Sequence, residues 1–324
     1  MLMQKGENLL VFKLPLGAIV YNKLTKKSYK LGNEEYALFK ELDGEKTIEE
    51  LTNMTSFSVD EIKCLLSVFD SYALLASSEI QIDKNTKKKH TLTYEASFLK
   101  VFSNPVLKII FDFLTFVSVP ALFFAIVFMQ GKINVDKMIK SANIVYIVIM
   151  DVILAVSVSL HEIFHAIAAK NNGAFCAEIG YTFDFFVPSA YTTLCGVDEI
   201  KSRGRKVQVF FAGIAANALI AAISLLIMGI PCLGDSLFMF LIFSSNLCLI
   251  LINSITCFKS DVYYILCSLF DNMNLKEDST NMIRSKGGKN IGNVIYLILT
   301  FIVEPTAIVA LLMIAFEKIG GKLL

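Results

Sequence analysis

Beyond Asn104 the sequence turns apolar in several runs near or above twenty residues, long enough for a helix to cross the hydrocarbon of a bilayer. Backbone in hydrocarbon must satisfy its own hydrogen bonds, so such runs dictate helices. They span about Pro105 to Met129, Ile144 to Ala169, Val207 to Ile230, Leu237 to Phe258 and Ile291 to Phe316. Hydrophobic residues make up 55% of the 324-residue chain, and the excess over a soluble protein falls in this part. The pattern predicts a mainly α protein: a multi-pass membrane helix bundle over residues 104–324, with the lipid bilayer of a cell membrane around it.

The second run carries His161-Glu162-Ile163-Phe164-His165, an H-E-x-x-H pattern. On a helix the two histidines are four residues apart and project from one face, the geometry two imidazoles need to share a metal ion. Glu162 beside them is placed to deprotonate a metal-bound water. A hydrogen-bonded histidine pair in a core is the plain alternative. Three ionisable side chains in an apolar span are costly without a role, which favours the metal site. The chain has only three histidines, and two are here.

Other polar residues stand out against the apolar background. Asn217, in Ala212-Gly213-Ile214-Ala215-Ala216-Asn217, is either a packing amide or a part of the site. Gly213, Ala215 and Ala216 allow a neighbouring helix to come close. Asp261 sits where the fourth run breaks. It fits a third metal ligand, which a catalytic zinc wants, and it fits equally the N-cap of a helix over Val262 to Phe270. Glu304-Pro305 in the last run and Asp151 in the second raise the question of an intramembrane carboxylate, and both read as internal hydrogen-bonding residues.

Ala177 to Leu194 alternates polar and apolar residues and reads as strands or a hairpin against the membrane near the site, or as an amphipathic loop. A protease in the bilayer must extend its substrate, and an edge strand here would do so by backbone pairing. The seven cysteines form no C-x-x-C pair and suggest neither a disulfide framework nor a cysteine-ligated zinc site. A net charge of +1 identifies no partner. The first residues are too polar for the apolar core of a secretory signal.

Residues 1–80 read as a small soluble α+β domain of winged-helix-like arrangement. Leu16 to Tyr21 and Lys27 to Leu31 predict two strands. Asn33 is expected to cap a helix over Glu34 to Leu42. Thr47-Ile48-Glu49-Glu50 and Ser58-Val59-Asp60-Glu61 are capping boxes that start two more. Residues 81–103 form a basic linker with Lys84, Lys87, Lys88 and Lys89. Basic residues gather on the cytoplasmic side of spans, so the N-terminal domain is expected in the cytoplasm, together with Lys201, Arg203, Arg205 and Lys206. The lysines around Lys132 dilute that signal. Nucleic acid is not an expected partner, because no basic fold surrounds the charge run.

Three ordered stretches resemble the site-2 protease (M50) family of membrane zinc metallopeptidases. His161 to His165 matches its H-E-x-x-H. Ala212 to Asn217 is similar to its A-G-P-x-x-N, with Ile214 in place of proline. Asn253 to Asp261 keeps the spacing of its N-x-x-P-x-x-x-x-D-G, with Thr256 for proline and Val262 for glycine. Asp261-Val262-Tyr263-Tyr264-Ile265-Leu266 resembles the D-G-Y-Y-x-L of the branch associated with bacteriocin and peptide maturation. The resemblance implies Zn2+ held by His161, His165 and Asp261, Glu162 as general base and acid, and Asn217 as a polar group that positions substrate. Residues 1–80 in turn resemble PqqD-like domains, through the strand pair, Leu31 to Phe39, and the D-G-x-x-T-x-x-E-L stretch from Asp43 to Leu51. Such domains bind the leaders of ribosomally made, modified peptides as an added strand, here expected near Lys27–Leu31 and the Ile62–Phe69 helix.

The expectation is an intramembrane zinc endopeptidase that matures a bacteriocin-like peptide precursor captured by its leader. Two alternatives stay open: regulated cleavage of a transmembrane regulator, and a non-catalytic membrane module that only docks peptide. The sequence assigns neither the substrate, whether peptide or membrane protein, nor the oligomeric state.

Overall fold

The computed structural model describes residues 4–78, 92–94, 99, 102, 104–133, 143–184, 187–230, 236–284 and 290–308. The N-terminal part is a three-stranded antiparallel sheet, β1 (Leu9–Leu14), β2 (Gly17–Asn22) and β3 (Lys27–Leu31), followed by α1 (Asn33–Lys40), α2 (Ile48–Met54) and α3 (Val59–Ser71). β1 is an addition to the two expected strands. Thr47 and Ser58 close reciprocal capping boxes with Glu50 and Glu61, as their spacing dictates. The first helix begins at Asn33 instead of being capped by it: Gly32 is the N-cap, and its N–H donates to Glu35 Oε2 at 2.8 Å.

β2 is buried on both faces, which explains an unbroken apolar run where a half-exposed strand would alternate. Val20 faces a core with Leu38, Phe39, Leu51, Ile62 and Phe69 beneath the helices. Ile19 and Tyr21 face the other way, into a cluster with Ala177 and Cys195 of a second sheet.

That sheet has the order β4 (Leu92–Tyr94), β5 (Phe175–Asp184) and β6 (Val187–Cys195), all antiparallel. The hairpin expected over 177–194 is therefore present. Within the stretch expected as a linker, Leu92–Tyr94 is a strand; Lys84 and Lys87 to Lys89 lie outside the described residues. The two sheets are joined by Phe12 stacked on Phe175 at 4.8 Å and by Lys26 Nζ 2.6 Å from Glu178 Oε2, and Lys30 Nζ is 2.7 Å from Glu199 Oε2 in the 3-10 turn that follows β6. Gly180 is opposite Tyr191, whose ring lies so close that a Cβ on Gly180 would be 2.3 Å from it. Ile19→Asp would place an unpaired carboxylate in the joint and is expected to cost about 3 kcal/mol or more. A thermal midpoint equal to the wild type's would refute this docked arrangement.

Among the described residues, four helices are long and apolar enough to cross a bilayer: α4 (Pro105–Met129), α5 (Ile144–Asn171), α6 (Arg203–Met228) and the helical stretch Ile291–Ile308. The last begins as α10 (Ile291–Ile298) and passes through a π-helical turn at Leu299–Val303; the rest of the expected run, 309–316, lies outside the described residues. The fourth run does not continue to Phe258. Its helix, α7 (Leu237–Asn253), stops at Asn253 because Ser254 and the residues after it leave the helix to form a turn. α8 (Asp261–Phe270) and α9 (Leu275–Ile283) follow.

α6 is the central helix, with Ala212, Gly213, Ala215, Ala216, Ala218, Ala221 and Ala222 all buried. These small residues let α4, α5, α7 and α8 pack closely around it. The start of α4 and the end of α5 meet where Lys108 Nζ donates to the carbonyl of Asn171 at 2.7 Å. The membrane ends near Lys108, Lys170 and Arg203 thus lie on the side that carries the two sheets.

Candidate metal centre

α5 delivers His161 and His165 to the interior, both 5% exposed, along the contact with α6. His161 lies ten residues from the helix end at Asn171, about 15 Å along the axis, so the pair is in the half of α5 that leads into β5. His165 Nδ1 is 2.8 Å from the carbonyl of Val209 on α6. A carbonyl only accepts, so this nitrogen carries the proton, and Nε2 turns its lone pair inward. The two Nε2 atoms are 3.1 Å apart.

Asp261 joins them from the start of α8, which packs on α6. Its Oδ2 is 2.9 Å from His161 Nε2 and its Oδ1 is 3.2 Å from His165 Nε2. The two uses open to Asp261 are thereby separated: Ser260 is the N-cap of α8, and Asp261 is the first helical residue with its carboxylate on the histidines. The three side chains offer ligand atoms that all lie within 4.8 Å of one another. Ligands ~2.0–2.2 Å from a tetrahedral zinc stand about 3.4 Å apart, so the spacing suits that ion.

Two further observations fit a cation here. Gly213 leaves the space in front of both rings open: a Cβ there would lie 2.4 Å from His161 Nε2 and 2.4 Å from His165 Nε2. Asp261 Oδ2 is buried and faces His161 Nε2 at 2.9 Å, a lone pair once the Asn217 oxygen takes the Nδ1 proton. Lone pairs facing one another repel unless a positive charge lies between them. The residues present fit zinc.

A cavity of about 530 Å³ opens beside this cluster. Glu162 lines it next to its two histidines, and β6 borders it with Ser189, Ala190, Tyr191 and Thr192. Thr192 Oγ1 donates to the Glu162 carbonyl at 3.2 Å, which ties the strand to α5. Asn217, fully buried on α6, has its amide nitrogen 2.9 Å from His161 Nδ1, and its oxygen has no partner. Sequence reading found Asn217 but not what it touches. It also missed Val209, because a backbone carbonyl has no signature in sequence, and it took Gly213 only as a place for close helix approach.

The two intramembrane carboxylates diverge. Glu304 is internally hydrogen-bonded, to Thr256. Asp151 is exposed on α5, contrary to the internal role expected of it, because the turn that carries it faces away from α6. Of the cysteines, Cys195 and Cys267 are buried; burial pushes the Cys195 thiol up to about 11, which leaves it protonated and inert at neutral pH.

The sequence profile of peptidase family M50 matches residues 149–318, just over half of the chain and all of the cluster. The chain belongs to peptidase family M50. Comparison with curated proteins and with solved structures gives no match. M50 peptidases are zinc-dependent metallopeptidases of the site-2 protease type, so the protein is a zinc metallopeptidase of that type. Its four spanning helices and this membership make it a multi-pass membrane protein that acts in the bilayer on peptide or membrane-protein substrates. Residues 1–148, including the first spanning helix and the N-terminal sheet, lie outside the M50 match.

Proposed function

We propose that the protein cleaves a ribosomally made peptide precursor at or within the membrane, and that its N-terminal unit, residues 1–80, is a PqqD-like domain that captures the leader. The observation that carries this reading is the joint between the two sheets. The unit that would bind the leader is tied by Lys26–Glu178 to the sheet bordering the cavity and by Lys30–Glu199 to the turn that follows it. A leader held there keeps the rest of the precursor at high effective concentration beside the site. β3 is an edge strand, and its Tyr29 stacks on Tyr72 at 4.3 Å, so strand and helix together offer a peptide both backbone groups and an aromatic surface. The basic ends of the spans, Lys108, Lys170, Arg203 and Arg205, share the side of this unit, which supports a cytoplasmic N-terminal domain in a cell membrane.

In this reading His161, His165 and Asp261 hold the zinc. When bound, the metal supplies a Lewis acid that acidifies water and polarises a carbonyl. Glu162 accepts the proton of the attacking water and returns it to the leaving amine. The Val209 carbonyl fixes the tautomer of His165. Asn217 does the same for His161 once its amide is turned so that the unpartnered oxygen accepts from Nδ1–H. Its part is thus to orient a ligand, alongside any help it gives the substrate. β6 is the outer strand of its described sheet, and its edge toward the cavity suits an extended substrate backbone.

The test is steady-state cleavage by the full chain of the precursor peptide encoded nearest to it, with and without its leader. Removal of the leader is expected to raise KM about tenfold or more and to change kcat little. Equal KM values would discard leader capture and leave regulated cleavage of a membrane-bound regulator as the task.

A further inference from the structure

We infer that Glu304 is a positioning residue of the metal centre: its carboxylate clamps Thr256, and the clamp holds the turn that presents Asp261 to the histidine pair. This rests on the reading that His161, His165 and Asp261 are the zinc ligands.

The turn from Ser254 to Ser260 joins α7 to α8, and Asp261 is the first residue after it. Thr256 lies at its centre, 2% exposed, in a region where an unpaired polar group is costly. Every polar group of Thr256 is taken up by the last helix. Its N–H donates to Glu304 Oε1 at 2.6 Å, and its hydroxyl is 2.5 Å from the same oxygen and 3.0 Å from Thr300 Oγ1. Its carbonyl accepts from the Tyr296 hydroxyl at 3.4 Å. Tyr296, Thr300 and Glu304 follow one another at intervals of four along that helix. The π-helical turn at Leu299–Val303 falls between Tyr296 and Glu304, and such turns re-aim side chains at functional sites.

The rest of the turn is held from within and from α9. Ser260 Oγ donates to the Ile255 carbonyl at 2.8 Å, and Lys276 Nζ to the Cys257 carbonyl at 2.9 Å. The exposed Lys259 Nζ is 3.1 Å from Glu277 Oε1 of α9, whereas Glu304 is the carboxylate on the buried Thr256, and two donors converge on one of its oxygens. A charge-assisted pair of this kind is roughly twice as strong as a neutral one. A carboxylate in a spanning helix is expensive unless something needs it. What needs it here is Thr256, because Asp261 reaches the histidines only from where α8 begins, and α8 begins where this turn ends.

Zinc affinity of the purified full chain, read by competition with an absorbing chelator, and the visible spectrum of the Co2+-loaded protein test the clamp. Glu304→Ala is expected to weaken zinc binding about tenfold or more, as loss of an outer partner of a ligand does, and to change the Co2+ spectrum. Glu304→Gln keeps an acceptor and should restore affinity to within about threefold of the wild type. Thr256→Val combined with Glu304→Ala should bind no more weakly than Glu304→Ala alone, because the two changes break one interaction. Wild-type affinity in Glu304→Ala, equal losses in the Ala and Gln variants, or additive losses in the double variant would each overturn the clamp. If Glu304→Ala does not fold, Thr256→Val alone decides: about threefold weaker binding supports the inference and unchanged binding overturns it. Asp261→Ala is the control. If it binds zinc like the wild type, the ligand assignment itself fails, whatever Glu304 does.

Discussion

Glu162→Gln is expected to keep its zinc and lose its peptidase activity. Glu162 is not among the atoms that converge between the histidines and Asp261, so metal content should match the wild type by elemental analysis. The amide is nearly isosteric but neither takes nor gives a proton at neutral pH. General acid–base catalysis is worth about 10²–10⁴-fold, and the cleavage rate should fall by that much. The variant should still bind substrate, with KM little changed, since the side chain borders the cavity and fills no part of the two sheets. Full activity in this variant would move the proton transfer to another group. Loss of zinc along with activity would show instead that Glu162 supports the ligands.

Gly213→Ala should empty the centre while leaving the bundle folded. The added methyl would stand 2.4 Å from both Nε2 atoms, well inside van der Waals contact, and a backbone atom of the central helix cannot retreat as a flexible side-chain tip can. The rings must swing away, and both are fixed at Nδ1, one by the Val209 carbonyl and the other by Asn217. Zinc affinity is therefore expected to fall at least roughly 10–100-fold, the effect of disturbing the groups that orient metal ligands. Helix content by circular dichroism should be unchanged, because alanine suits a helix better than glycine does. Normal zinc binding in Gly213→Ala would mean that the ion is held elsewhere.

How far this site could be read before folding depends on the range over which each part is specified. The histidine pair and Glu162 are legible because four residues make one helical turn, and the geometry is local. The spanning helices are legible for the same reason: length and apolarity alone decide whether a segment can lie in hydrocarbon. Thr47 and Ser58 could be assigned as caps from a spacing of three residues. Errors came at the ends of long runs. α7 stops at Asn253 although apolar residues continue, because the turn to Asp261 is tied to a helix some fifty residues further on.

The sequence by itself determined the apolar helices, the histidine-bearing face of α5 and the small-residue surface of α6, because each is specified along a single helix. Only the tertiary structure decided that Asp261 is a partner of the histidines and not a cap, that Gly213 makes room in front of their rings, and that the N-terminal sheet docks on the hairpin bordering the cavity. Those facts depend on contacts between segments far apart in the sequence, and no local spacing encodes them. They arise because helices and sheets with complementary apolar faces can bury them together in few ways, and the polar groups drawn inside must find one another.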